Sequence, residues 1–158
     1  LELRNLHVGG LFHDEEEIQM TNSVPNFVGS MQQFTYNGVL YFEQARTMSG
    51  ATEHAGSHLP RIQVTATFSK RDHQLVHHPV TFKSKHTFVG LPVLKAYSGP
   101  NIYFQFKTRE PSGLILYNAG REQDFIAIEL VNGHVVYTFD LGDGAVRVKD
   151  NARSALND

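Results

Sequence analysis

An all-β fold, an antiparallel β-sandwich, is predicted by the patterning of the chain. Short runs alternate apolar and polar residues, turn dipeptides recur at spacings of roughly ten residues, and no long amphipathic helical stretch intervenes. The clearest run is Gly113 to Gly144, GLILYNAGREQDFIAIELVNGHVVYTFDLGDG, which spells consecutive antiparallel strands.

Taken from the N-terminus, Leu6-His7-Val8-Gly9-Gly10 reads as a short strand ending in a glycine turn, and the acidic run 14–17 as a solvated loop. Residues 27–29 and 31–37 read as two further short strands, with Phe34 and Tyr36 on one face and Asn37-Gly38 as a turn. From 47 to 58 the composition shifts to Ser, Gly, Ala, Thr and His without periodicity, as in a loop or linker. Residues 62–68 form a candidate strand, 69–74 are polar, and Pro79 precedes a strand over 80–82. Ile102, Phe104 and Phe106 alternate with Tyr103, Gln105 and Lys107, a half-buried strand. Glu110-Pro111-Ser112-Gly113 has the proline and glycine placement of a type I turn and leads into 114–117. Asn132-Gly133 accepts the positive φ of a type I′ hairpin, so 125–131 and 134–141 should pair directly. In the second of these, Val135, Tyr137, Phe139 and Leu141 share one face, opposite His134, Thr138 and Asp140, with Val136 the apolar exception. Asp143-Gly144 repeats the turn signal before 145–149.

Composition bounds the rest. The chain has 158 residues, 41% of them hydrophobic, enough for one folded domain with a sizeable core. A formal charge of −2 and a pI near 6.5 supply no general basic surface, so neither nucleic-acid binding nor membrane contact is expected. No run approaches the roughly 18 apolar residues of a membrane span, and 1–20 lack the basic start and apolar core of a signal peptide. The chain therefore reads as an internal piece of a longer protein. Without cysteine there are no disulfides or thiolate ligands, and Asn22 is followed by Ser23 and Val24, so no glycosylation sequon is present.

Two blocks resemble a laminin G (LNS) domain of the kind repeated in the extracellular region of α-neurexins. Leu6-x-Val8-Gly9-Gly10, Val24-Pro25-Asn26-Phe27-Val28-Gly29-Ser30-Met31 and Phe34-Thr35-Tyr36-Asn37-Gly38 are similar to the closing strands, with Ser30 where the family often has cysteine. Pro79-Val80-Thr81-Phe82-Lys83, Phe104-Gln105-Phe106-Lys107-Thr108 and the run from Gly113 to Gly144 resemble the opening half. The resemblance implies closing strands of one LNS domain in 1–46, a linker or inter-repeat segment in 47–78, and opening strands of the following domain in 79–158. In α-neurexins that order fits the end of the third repeat and the start of the fourth. Isolated half-sandwiches would expose sheet edges and half a core. The expectation is therefore completion by residues outside the chain or by a partner, the alternative being association of the two halves.

The resemblance also implies a Ca2+ ion at the sandwich rim. Asp124 takes the position of the family's aspartate ligand, and Leu141 lies where a backbone carbonyl is supplied. Calcium takes about six to eight hard oxygen ligands, so water, a partner or residues elsewhere must supply the remainder. The plainer reading is that Asp124 solubilises a strand start. His54, His58, His73, His77, His78 and His86 tempt a zinc assignment, but Gly56 and the non-periodic context argue against the helix that four-residue spacing would need. They read as exposed linker residues.

No nucleophile elbow, P-loop or dinucleotide fingerprint occurs, and pairs such as Glu15/Glu16 or Asp140/Asp143 do not define a cleft, so the chain is not expected to be an enzyme. The resemblance implies an extracellular recognition or spacer module of a synaptic cell-adhesion receptor, a single-pass protein at the presynaptic membrane that binds partner ectodomains. A carbohydrate-binding lectin-type sandwich is the alternative. Tyr117 is then the nearby aromatic for sugar stacking, and the absence of Trp counts against it.

Overall fold

Asn132 and Gly133 turn with φ of 51° and 80°, the left-handed pair that a type I′ hairpin needs. Strand β10 (Phe125–Val131) accordingly returns as β11 (His134–Asp140) in unbroken register, from Phe125↔Asp140 to Val131↔His134. In the computed structural model, which describes residues 3–11, 24–49, 63–70, 78–91, 101–120 and 124–158, this hairpin organises the larger of two sheets. Strand β9 (Gly113–Gly120) flanks β10, and β12 (Val146–Lys149) flanks β11. On the far side of β9 lie β1 (Leu3–Val8), β7 (Val89–Leu91) and β4 (Gln63–Val64), giving the order β12-β11-β10-β9-β1-β7-β4.

The second sheet is built on β2 (Gly29–Tyr36). Along one side it pairs with β6 (Val80–Phe82) and β3 (Val39–Leu40), along the other with β8 (Ile102–Lys107), and β5 (Thr67–Phe68) extends it beyond β6. Where two strands are predicted over 27–37, one is found. It begins at Gly29 and carries an irregularity between Gln32 and Thr35, with Gln33 at φ 54°. The bulge lets a single strand stay paired while its alternation slips.

Both sequence blocks contribute to both sheets. β1, from the first block, hydrogen-bonds β9 and β7 from the second, with Val8 opposite Leu116 and Val89. β2 likewise lies between β6 and β8. The two halves thus associate, each covering the edges and apolar face that the other would expose. The intervening 47–78 is more than a linker among the described residues, since β4 and β5 join one sheet each. Most of 47–58 lies outside the described residues. Helix α1 (Tyr41–Ser49) has no counterpart in the sequence reading. Leu40 is not a capping residue, so this short helix depends on burying Tyr41, Phe42 and Ala45 in the core.

That core fills the space between the sheets. Leu6, Val8, Leu116, Ile126 and Ile128 meet Met31, Phe34, Tyr36, Val80 and Phe82 there. The Tyr36 hydroxyl donates to Asn118 Oδ1 at 3.3 Å. Burial, reinforced by Tyr137, pushes this phenol up to about 12, which keeps it a protonated donor. A second apolar cluster, Leu11, Leu114, Tyr117, Ala119, Phe125 and Ala127, lies on the opposite face of β9 and β10. Both faces of these strands are therefore buried.

The predicted faces of β11 need correction at two positions. Val135, Tyr137 and Phe139 pack against the main core but remain partly exposed, whereas Val136, on the other face, is buried. Leu141 is 52% exposed. The strand ends at Asp140, whose carboxylate turns the following loop out of the sheet.

Candidate metal centre at the hairpin rim

The pair Phe125↔Asp140 closes the β10–β11 ladder. Asp124 immediately precedes β10 and Leu141 immediately follows β11, so both lie at the same end of the sheet. Asp124 is held there through its backbone, whose carbonyl accepts a hydrogen bond from the Gly120 N–H at 2.6 Å. Glycine at 120 permits that approach, because a Cβ there would lie 2.6 Å from the Asp124 Cβ. The carboxylate faces the following loop, since a Cβ on Gly142 would lie 3.9 Å from Asp124 Oδ1.

Asp140 shapes this loop. Its Oδ1 accepts hydrogen bonds from the N–H groups of Gly142 at 2.9 Å and Gly144 at 3.3 Å. Gly142 and Gly144 adopt φ of 98° and 108°, conformations that favour glycine. The sequence reading missed this role, although Asp-Leu-Gly-Asp-Gly carries the signal of an aspartate hydrogen-bonding its own backbone two residues on.

The resulting rim sets the Asp124 carboxylate beside a backbone-rich loop, the oxygen chemistry that suits calcium. The donor set is incomplete by itself: among the described residues no group of three or more His, Cys, Asp or Glu gathers as a metal cage. His54, His58, His73 and His77 lie outside the described residues, and His86 is exposed. Tyr117, the aromatic required by a lectin reading, is only 4% exposed and stacks on Phe125 with centroids 5.9 Å apart. It presents no ring to a sugar.

The opposite end of the hairpin carries a second electrostatic device. Asp150 Oδ1 lies 3.1 Å from His134 Nδ1 and accepts the Ala152 N–H at 2.8 Å, while Oδ2 accepts the N–H of Val135. Leu156 N–H then reaches Gly133 O at 2.8 Å, laying the C-terminal residues along the hairpin turn. The His134 hydrogen bond, followed by those from backbone N–H groups, holds the Asp150 carboxyl below its ordinary range. A depressed carboxyl contributes stability above its unfolded pKa and loses it as pH falls through its folded value. Asp150→Ala should therefore flatten the acid limb of a plot of urea midpoint against pH. It should also speed hydrogen exchange at Leu156, and unchanged exchange there would contradict this anchoring of the C-terminal residues by Asp150.

Comparison with known proteins follows the same elements. Residues 106–158, which include β9 to β12 and the rim, match the Laminin G domain family. Over its whole length the chain is 48% identical to Neurexin 1 of Drosophila melanogaster, 35% to Neurexin-3a of Danio rerio and 36% to Neurexin-2 of Mus musculus. It spans 8% of the length of each. No solved structure gives a significant match. Among the described residues no helix is long and apolar enough to cross a membrane. The two antiparallel sheets, the laminin G domain match across the rim-bearing hairpins and the full-length similarity make this chain similar to the laminin G domains of the kind that neurexins carry.

Proposed function

We propose that this chain is a non-enzymatic extracellular recognition or spacer module of a neurexin-like synaptic cell-adhesion receptor, with protein ectodomains as partners. The observation that carries this reading is the 48% identity to Drosophila Neurexin 1 along the whole chain. On the same reading, 1–46 and 79–158 derive from successive repeats, and the parent is a single-pass protein displaying them on the presynaptic surface. Burial of Tyr117 weighs against the lectin alternative. Robust, specific binding on a glycan array, with no binding to any of a panel of synaptic ectodomains, would overturn the adhesion reading.

The rim is proposed to hold Ca2+ through the Asp124 carboxylate and the Leu141 carbonyl, with water or a partner completing the shell. Bound calcium would supply a fixed positive charge on which an acidic or carbonyl-bearing ligand could converge. Calcium affinity depends on the number of charged ligands, and Asp124 is the only charged member of the proposed pair. Asp124→Ala should weaken binding in a calorimetric calcium titration by about tenfold or more. Equal binding by the variant would remove the calcium assignment and leave the adhesion reading in place.

A further inference from the structure

We infer that Asn37-Gly38 is a site of spontaneous covalent modification, where the chain converts its own asparagine to aspartate or isoaspartate, and that the fold protects Asn132-Gly133 from the same reaction. The two dipeptides are identical and both turn in the left-handed region, with φ of 50° and 78° at the first and 51° and 80° at the second. Their surroundings differ.

The reaction sets two requirements. The backbone nitrogen of the glycine attacks Cγ of the asparagine side chain, and a nitrogen–carbon bond forms. The side-chain nitrogen takes up the proton that the glycine nitrogen gives up and leaves as ammonia, so that a succinimide ring remains. Water then adds to either ring carbonyl and opens the ring to aspartate or isoaspartate. The glycine N–H must therefore be free to lose its proton. Negative charge also develops on Oδ1 during the attack, and a donor already aimed at that oxygen stabilises it.

Asn37-Gly38 meets both requirements. Both residues are exposed, and the Gly38 N–H has no hydrogen-bond partner among the described residues. Apart from its chain neighbours, no heavy atom lies within 4 Å of the place a Cβ on Gly38 would take. The Asn101 N–H donates to Asn37 Oδ1 at 2.8 Å, the distance at which a backbone donor stabilises an oxyanion. Asn132-Gly133 meets neither. Gly133 is buried and its N–H donates to Pro111 O at 2.6 Å. Among the described residues no donor reaches the Asn132 side-chain carbonyl. A Cβ on Gly133 would lie 2.5 Å from Ala155 Cβ and from Asn157 Oδ1, so this turn is packed against residues that must move before it can change shape.

The position of Asn37 gives the modification a structural consequence. Its N–H also donates to Asn101 O at 2.7 Å, so Asn37 and Asn101 clamp the β2–β3 turn to the entrance of β8, one from each sequence block. Isoaspartate lengthens the backbone by a methylene group and breaks that clamp. Hydrogen exchange at Asn101 should therefore quicken in the modified chain.

The test ages the 158-residue chain in neutral and mildly alkaline buffer, with and without urea. Peptide mapping by mass spectrometry then distinguishes asparagine, aspartate and isoaspartate at both positions. In the folded chain Asn37 should convert at least about tenfold faster than Asn132, and faster still in the alkaline buffer. In urea the two rates should converge, because only the fold distinguishes the dipeptides. Asn101→Pro, which removes the donor and keeps the carbonyl, should slow conversion of Asn37 in the folded chain and leave its rate in urea unchanged. An unslowed Asn37 in a folded Asn101→Pro chain would contradict the role of that N–H. The inference fails if neither asparagine converts in the folded chain, if both convert equally, if Asn132 is the faster, or if the same contrast persists in urea.

Discussion

Gly9→Ala is expected to lower stability by roughly 2–6 kcal/mol, read as a large fall in urea midpoint without a change in slope. Gly9 follows β1 with φ 84°, and a Cβ there would lie 2.1 Å from Cε1 and 2.4 Å from Cδ1 of Phe82. The Phe82 ring is fully buried in β6 and cannot swing aside. Two costs combine, left-handed backbone strain and overpacking, each about 1–3 kcal/mol. Gly38→Ala separates them, because Gly38 has φ 78° but nothing lies within 4 Å of the point its new methyl group would occupy. It should show the strain alone. Adding Phe82→Leu to Gly9→Ala should recover part of the steric cost. If Gly9→Ala proves as mild as Gly38→Ala, the first block does not pack on the second as described.

Phe27→Ala should cost roughly 3–5 kcal/mol, the range for deleting a buried aromatic side chain. Phe27 is almost wholly buried and meets Phe82 and Phe106 edge-on, with centroids 5.7 Å and 6.1 Å away. Edge-to-face pairs add about 0.5–1.5 kcal/mol beyond area burial. Its N–H is shared between Gly9 O at 2.8 Å and Leu114 O at 3.3 Å, tying together both sequence blocks. A Cβ on Gly113 would approach Phe27 Cα to 2.8 Å, so the backbones are also in close contact. Phe27→Leu keeps much of the apolar volume and should cost less than alanine, although it loses the ring geometry. A loss below about 1 kcal/mol for Phe27→Ala, typical of a surface site, would show that the proposed shared core is absent.

Local chemistry explains which parts of the fold were legible. Asn132 and Gly133 can both adopt positive φ, so the hairpin follows from two adjacent residues and the alternation around them. Alternation in β8 similarly predicts its inward Phe104 and Phe106. Helix α1 had no such signal, because burial of Tyr41, Phe42 and Ala45 compensates for its missing cap. At the rim, Asp124 and Leu141 could be brought together from hairpin register alone. The role of Asp140 is encoded just as locally, in the Asp-Leu-Gly-Asp-Gly run. Tyr117 illustrates the reverse limit: its outward position on β9 suggests exposure, yet Leu11 and Phe125 help bury it in a second apolar cluster.

The β character, the hairpin register and the end of the sheet that Asp124 and Leu141 share follow from neighbouring residues and period-two geometry. That β1 lies between β7 and β9 and β2 between β6 and β8 is settled by tertiary packing alone. Those outcomes depend on contacts between residues far apart in the chain. Many strands satisfy the same alternating pattern, and the choice among them rests on which pairing buries the most apolar surface while leaving the fewest unpaired edges.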